Sequence, residues 1–230
     1  MENKKKVSIL ILTHNAALFI YKVLTSLRMT KHVNYEVIIV DNRSSLLTRL
    51  LLLLLHYIGW TNKLCFLDYN SLFAAGNNRA ACLSDPKSSH FLLLNSDVEI
   101  RHADWLKVLL DNHEYGITSF GVVIGNPVSR VDGYCLLIDR ELYLKHQLDE
   151  SYQWWWSVTG LQAKVLSEGY SVKGFNEHEK YLHHFGGKSG SSFKVAKGMD
   201  VDPEEVVSWF HGRTIRIFDS PNMGKPEALN

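Results

Sequence analysis

A chain of 230 residues, 46% hydrophobic and 21% charged, can bury one large core, with or without an extension. Its formal net charge of +1 gives no global electrostatic case for nucleic acid, and Lys4-Lys5-Lys6 reads as a solvated terminus. The leucine run from Leu50 to Leu55 falls far short of the roughly 20 residues of a membrane span. The apolar stretch 7–12 is too short for a secretory leader, and Cys65, Cys82 and Cys135 are widely spaced, with no CxxC pair. A cytoplasmic protein with reduced thiols follows, with room for peripheral membrane contact.

Residues 7–12 are a continuous apolar run with Ser8 as their one polar member, a strand buried on both faces that ends at Thr13-His14-Asn15. Over 17–29, Leu18, Phe19, Tyr21, Val23, Leu24 and Leu27 fall at helical spacing, without Gly or Pro. A second buried strand, 35–40, ends at Asp41-Asn42. Ser44 and Ser45 can cap a helix running to 57. A weaker strand at 62–67, a helix at 73–83 and a strand at 91–94 complete the first hundred residues. Four strands alternating with three helices predict a parallel sheet with right-handed crossovers. Beyond residue 100 the pattern loosens: a helix at 103–113, strands at 120–124 and 134–138, and helices at 140–146 and 157–168, the last closed by Gly169. Strands at 170–173 and 180–184 precede a glycine-rich loop at 186–190. After about residue 198 the chain is polar. Pro203-Glu204-Glu205 can start one short helix, and the last dozen residues read as a frayed arm.

Three of the first four strands end in polar clusters, and an open α/β sheet places its ligand beyond such ends. Neither GxGxxG nor GxxxxGK[ST] follows any of them, which excludes the usual dinucleotide and P-loop sites. Phe91 to Leu94 runs into Asn95-Ser96-Asp97-Val98-Glu99. Asp97, with Glu99 behind it, can hold a hard divalent cation against phosphate oxygens. The other reading of this stretch is a strand ending in a polar turn.

The order of these motifs resembles family 2 glycosyltransferases. Val7 to Asn15 resembles the family's opening strand, and Glu36 to Ser45 its second strand with a "DNxS" end. Asn70 to Asn78 resembles "NxGFAxGxN", and Phe91 to Asp97 the strand carrying the DXD-type motif. Gly133 to Glu141 resembles the acceptor-side strand, Leu148-Asp149-Glu150 the "FDE", and His184 to Ser189 the "HxGGxS" loop. The similarity spans roughly residues 7–190 and is closest to rhamnosyltransferase-like members. It implies a GT-A fold, a Rossmann-like, mostly parallel sheet with helices on both faces. The domain would cover 1–198, with a nucleotide-sugar half (1–100) and an acceptor half (101–198), followed by an extension at 199–230.

The resemblance also implies chemistry: transfer of a hexose-type sugar from a UDP-, dTDP- or GDP-sugar to a carbohydrate-type acceptor, inverting and dependent on Mn²⁺ or Mg²⁺, as in polysaccharide biosynthesis. Carried over, Thr13, Asn15 and Asp41 contact base and ribose, and Asn78 lies in the segment lining the donor pocket. Asp97 holds the metal, and His184 is a further ligand or a diphosphate contact. Asn95 replaces the first acid of the metal motif and can still hydrogen-bond a ribose hydroxyl. The acidic pair expected seven to eight residues after "DE" falls on Ser157-Val158, neither of which is a base. Asp149 and Glu150 are the nearest carboxylates for that role. Of Trp154-Trp155-Trp156, all three cannot face one ligand; core packing and a sugar platform are both open. The missing acids favour an alternative, a weak or inactive nucleotide-sugar-binding module. A nucleotidyltransferase is disfavoured, because Thr13-His14-Asn15-Ala16-Ala17 is not a glycine-rich basic loop.

Overall fold

The computed structural model describes residues 5–186 and 196–221. In chain order its elements begin with β1 (Lys6–Thr13), α1 (Ala17–Leu27), β2 (Asn34–Asp41), α2 (Leu46–Tyr57), β3 (Lys63–Phe66), α3 (Leu72–Cys82) and β4 (His90–Leu94). The second half holds β5 (Val98–Ile100), α4 (Trp105–Asp111), β6 (Gly116–Phe120), β7 (Val122–Val123), β8 (Arg130–Val131), β9 (Cys135–Asp139) and α5 (Arg140–His146). It closes with α6 (Trp154–Ser167), β10 (Ser171–Phe175), β11 (Leu182–His184), α7 (Pro203–Phe210) and β12 (Arg216–Phe218).

The apolar runs pair into one eight-stranded sheet of order β12-β10-β6-β9-β4-β1-β2-β3. β1 sits between β2 and β4 and is parallel to both. Within this sheet β9 alone runs against its neighbours, β4 and β6. Side chains alternate across it as a strand requires. Val7, Ile9 and Ile11 of β1 join the core under α1, α2 and α4, and Leu10 joins the core under α3, α5 and α6. α3 lies close on the sheet because Gly76 has no Cβ; one there would clash with the Leu12 side chain. That contact explains a glycine in mid-helix.

The first hundred residues follow the expected pattern, with boundaries shifted by a residue or two. Later the differences are larger. The strand expected at 120–124 lies at Gly116–Phe120, followed by the short β7. Thr118 and Ser119 break its apolar pattern, but both are buried: Thr118 Oγ1 meets His113 Nδ1 at 2.9 Å, and Ser119 Oγ donates to Asp132 O at 2.7 Å. α6 starts at Trp154, so the tryptophan run forms its first turn. α4 is shorter than the 103–113 expected. β5, β8 and β12 have no counterpart among the strands expected from the sequence. The segment placed in an extension is part of the main body, since α7 packs on α6 and β12 pairs with β10. Of the glycine-rich loop, residues 187–190 lie outside the described residues, as does the arm from 222 onward.

Candidate functional site: a cleft at the strand ends

The parallel register sets Thr13 beside Asp41 at the carboxyl ends of β1 and β2. Both are buried. Asp41 Oδ2 accepts from Ser44 N at 3.1 Å and from Arg49 Nε at 2.9 Å. Its Oδ1, like Thr13 Oγ1, is buried with no hydrogen-bond partner. Buried polar atoms are nearly always paired. Of the two, Thr13 lines the cleft beyond the strand ends, and Asp41 lies beside it in register, behind the cleft wall. Asn15 takes a different part. It is exposed, with φ of 52°, and its Oδ1 accepts from Ser45 N at 2.7 Å while its own N–H donates to Ser44 Oγ at 2.8 Å. It shapes the turn into α2.

Beyond these ends lies a cleft of about 740 Å³, part of it open to solvent. Its polar lining includes Thr13, His14, Asn42, Asn77, Asn95 and Asp97. Among the described lining residues Asp97 alone carries a carboxylate. Asn42 fixes the far wall: its Oδ1 accepts from Ser71 N at 2.6 Å, and its Nδ2 donates to Asn70 Oδ1 at 2.7 Å. His14, Asn70 and Asn77 were not singled out from the sequence. Asn70 and Asn77 stood within a quoted motif, and the helical phase of α3 points Asn77 rather than Asn78 to the cleft.

The register of β5 with β11 pairs His184 with Val98, and this brings the histidine back to the strand end. His184 Nε2 lies 3.3 Å from Asp97 Oδ1, and Phe185 N donates to Asp97 O at 3.0 Å. His183 turns the other way and packs edge-on against Phe185. Tyr134 stacks on the His184 ring with centroids 4.1 Å apart, and its hydroxyl bonds His178 Nε2. Burial pushes the Tyr134 phenol well above its ordinary range, so it stays neutral. A carboxylate 5% exposed, with an imidazole against it and amide-bearing residues around it, fits a divalent cation that accepts oxygen and nitrogen.

The acceptor-side candidates are placed otherwise. Asn78 Nδ2 donates to Leu148 O at 2.9 Å and to Glu150 Oε1 at 3.1 Å, and its Oδ1 accepts from Tyr143 and Leu148 N. It ties α3 to the 148–150 turn and does not line the cleft. Neither do Asp149 and Glu150. Asp149 Oδ1 accepts from Ser151 N at 3.0 Å, and Glu150 is exposed apart from its bond to Asn78. Asn78 thus lies in the segment that lines the cleft, through Asn70, Leu72, Phe73 and Asn77, while its own amide and the Asp149–Glu150 pair are engaged in the 148–151 turn. Ser157 is buried and donates to Trp154 O at 2.8 Å. The three tryptophans part company: Trp154 lines the cleft with φ of 46°, Trp155 lines a separate depression, and Trp156 Nε1 donates to Met199 O at 3.0 Å. Asp132, next to Gly133 and Tyr134, lines that depression with Trp155 and Val158.

Comparison with known proteins gives three findings. The family model described as glycosyl transferase family 2 matches residues 8–159. No curated protein matches the chain. Among solved structures, S. aureus TarS 1–349 is 19% identical with a TM-score of 0.55, covering 70% of this chain and 55% of that one, and is also known in complex with UDP. A mannosyltransferase from Pyrobaculum calidifontis, in complex with GDP-Man and Mn²⁺, is 16% identical with a TM-score of 0.59, covering 71% of this chain and 52% of that one. The chain thus spans about half the length of the solved structures it matches.

Proposed function

The chain belongs to glycosyl transferase family 2 and has the family's GT-A fold; from that premise we propose that it moves a sugar from a nucleotide-diphosphate donor to a carbohydrate-type acceptor. The observation that carries the proposal is Asp97 Oδ1 3.3 Å from His184 Nε2 at the cleft that collects the ends of β1, β2 and β4. Thr13 and Asn95 line the cleft and support binding of the nucleoside there, with Asn95 as a ribose contact and Asp41 as the carboxylate beside Thr13. Asn15 serves that site by shaping its rim. The complexes of the two relatives, one with UDP and one with GDP-Man and Mn²⁺, support nucleotide donors of this class.

Asp97 and His184 are the residues that would hold a divalent cation, which when bound neutralises the charge gathering on the departing diphosphate. Mg²⁺ prefers oxygen ligands alone, so Mn²⁺ makes fuller use of the imidazole. In the transfer, the acceptor hydroxyl oxygen bonds to the anomeric carbon. The bond from that carbon to the phosphate oxygen breaks, and the diphosphate leaves with the electron pair. A single displacement of this kind inverts the anomeric centre. The hydroxyl proton needs a base within reach. Asp132, in the depression shared with Trp155, is our assignment for that base in place of Asp149 and Glu150.

Calorimetry with UDP, dTDP or GDP, with and without Mn²⁺, tests the donor site. Wild type is expected to bind one of them at least tenfold more tightly with the metal, and Asp97→Ala to lose that gain. Equal, metal-independent binding by both proteins would sink the metal assignment. The second reading, a binding module without turnover, is favoured by the absence of a cleft carboxylate other than Asp97 among the described residues. A donor screen that finds binding and no hydrolysis or transfer selects it.

A further inference from the structure

At the opposite end of the sheet from the cleft, two strand ends and the α4–β6 connection carry a second cluster. His90 opens β4, and its cross-strand partner in β9 is Asp139. His113 sits in the connection from α4 to β6. The nitrogen and oxygen donors of His90, His113 and Asp139 lie within 4.8 Å of one another. His113 Nε2 is 3.0 Å from Asp139 Oδ2, and His90 Nε2 is 3.6 Å from Asp139 Oδ1. Four steps of β4, at about 3.3 Å each, put this cluster roughly 13 Å along the strand from Leu94 and the donor cleft.

The spacing matches a tetrahedral ion. Metal–ligand bonds of about 2.0–2.1 Å at tetrahedral angles separate neighbouring ligand atoms by about 3.3 Å. His113 and His90 approach the two oxygens of Asp139, Oδ2 at 3.0 Å and Oδ1 at 3.6 Å, near that value, and all three donors lie within 4.8 Å. The outer partners match as well. Each imidazole turns Nε2 toward the carboxylate and gives its other nitrogen to a hydroxyl: Ser89 Oγ lies 2.8 Å from His90 Nδ1, and Thr118 Oγ1 lies 2.9 Å from His113 Nδ1. Gly116 N donates to Asp139 Oδ2 at 2.7 Å. Partners of this kind fix the tautomer and ring orientation of metal-bound histidine. The side chains are 5% (His90), 2% (His113) and 14% (Asp139) exposed, so the cluster is set into the body of the protein and not on a solvated face.

We propose that His90, His113 and Asp139 form a second metal site, for a borderline divalent cation of the Zn²⁺ class, distinct from the Asp97–His184 site. Two nitrogens and one carboxylate oxygen are the donor set such an ion takes, with a fourth position left for water. The ion clips β4, β9 and the α4–β6 connection together where antiparallel β9 enters the parallel sheet. The clip is structural, because no cleft residue takes part in it.

The test uses the full chain, stripped with a chelator and titrated with Co²⁺ or Zn²⁺ alone. One Co²⁺ per chain should develop the visible absorption of a four-coordinate ion with nitrogen and oxygen ligands. Zn²⁺ at a hundredfold excess over its Kd should raise Tm by roughly 5–10 °C. Both signals should persist in Asp97→Ala and weaken at least tenfold in His113→Gln and Asp139→Asn. Should those variants fail to fold, X-ray absorption on the wild-type Zn²⁺ form decides, two imidazole nitrogens being the expected count. No absorption band and no Tm shift in wild type would overturn the proposal. So would signals lost in Asp97→Ala and kept in His113→Gln, which would place the ion in the donor cleft alone.

Discussion

The Asn78 amide is 6% exposed and spends its bonding capacity on Leu148, Glu150 and Tyr143. Removing it strands the Tyr143 hydroxyl and Leu148 N in the interior. Asn78→Ala should cost roughly 2–4 kcal/mol in chemical denaturation, while nucleotide affinity stays within about threefold in calorimetry. Gly121 has φ of 97°, and a Cβ there would strike the Tyr134 ring. Since Tyr134 stacks on His184, Gly121→Ala should weaken Mn²⁺-dependent nucleotide binding at least tenfold. An unchanged calorimetric Kd would show that the stacking does not position His184. For the acceptor side, Asp132→Asn should lower turnover by about 10²–10⁴ with donor binding kept, whereas Asp149→Asn should leave the rate within severalfold. Residues at strand ends were readable because apolar runs stop there: Thr13, Asp41, Asn95 and Asp97 all follow such runs. His184 rather than His183 was readable from its spacing to Gly186-Gly187 and Ser189, while the β5–β11 register that carries it back to Asp97 was not.

At the scale of elements, β12 is held to β10 partly by Glu114, which bonds Arg216 and lies 3.0 Å from Lys173 Nζ. Arg216 first, then Lys173, hold the Glu114 carboxyl down to about 2, below its ordinary value of 4.5. A depressed acid contributes stability that is complete above its unfolded value and disappears as pH falls through the folded one. Glu114→Gln should therefore melt below wild type at pH 6, and the gap should close between about pH 4.5 and about pH 2. Glu114 is exposed, so the gap should also shrink from 0.1 M to 1 M salt, where the Debye length drops from about 10 to about 3 Å. Melting curves across pH and salt check both. The helices were readable from their periodicity, but α2 shows its limit. Six leucines in a row from Leu50 to Leu55 cannot all face inward, and only Leu52 and Leu55 are buried. β6 was misplaced because Thr118 and Ser119 look like loop residues until their tertiary hydrogen-bond partners are known. β12 is only three residues long, and Ile217 and Phe218 are too brief an apolar run to set a strand apart from a loop.

For the whole molecule, the tail matters more than its polar composition suggested. Val206, Phe210 and Ile215 are buried, and together such side chains contribute roughly 5–9 kcal/mol. That is comparable to the whole stability of an ordinary domain. A chain ending at residue 198 should be insoluble or lack a cooperative melt, as seen by gel filtration and circular dichroism. A soluble, cooperatively folded truncation that still binds nucleotide would make the tail an accessory after all. Antiparallel β9, between β4 and β6, also has a consequence during synthesis. β1 to β4 can assemble once residue 94 has left the ribosome, but the free side of β4 has no partner until residues 135–139 follow. At about 5–20 residues per second, that buried, apolar edge stays open for roughly 2–9 s. Over that interval the nascent chain presents an unpaired strand to its neighbours, and the yield of soluble protein depends on how fast translation crosses it.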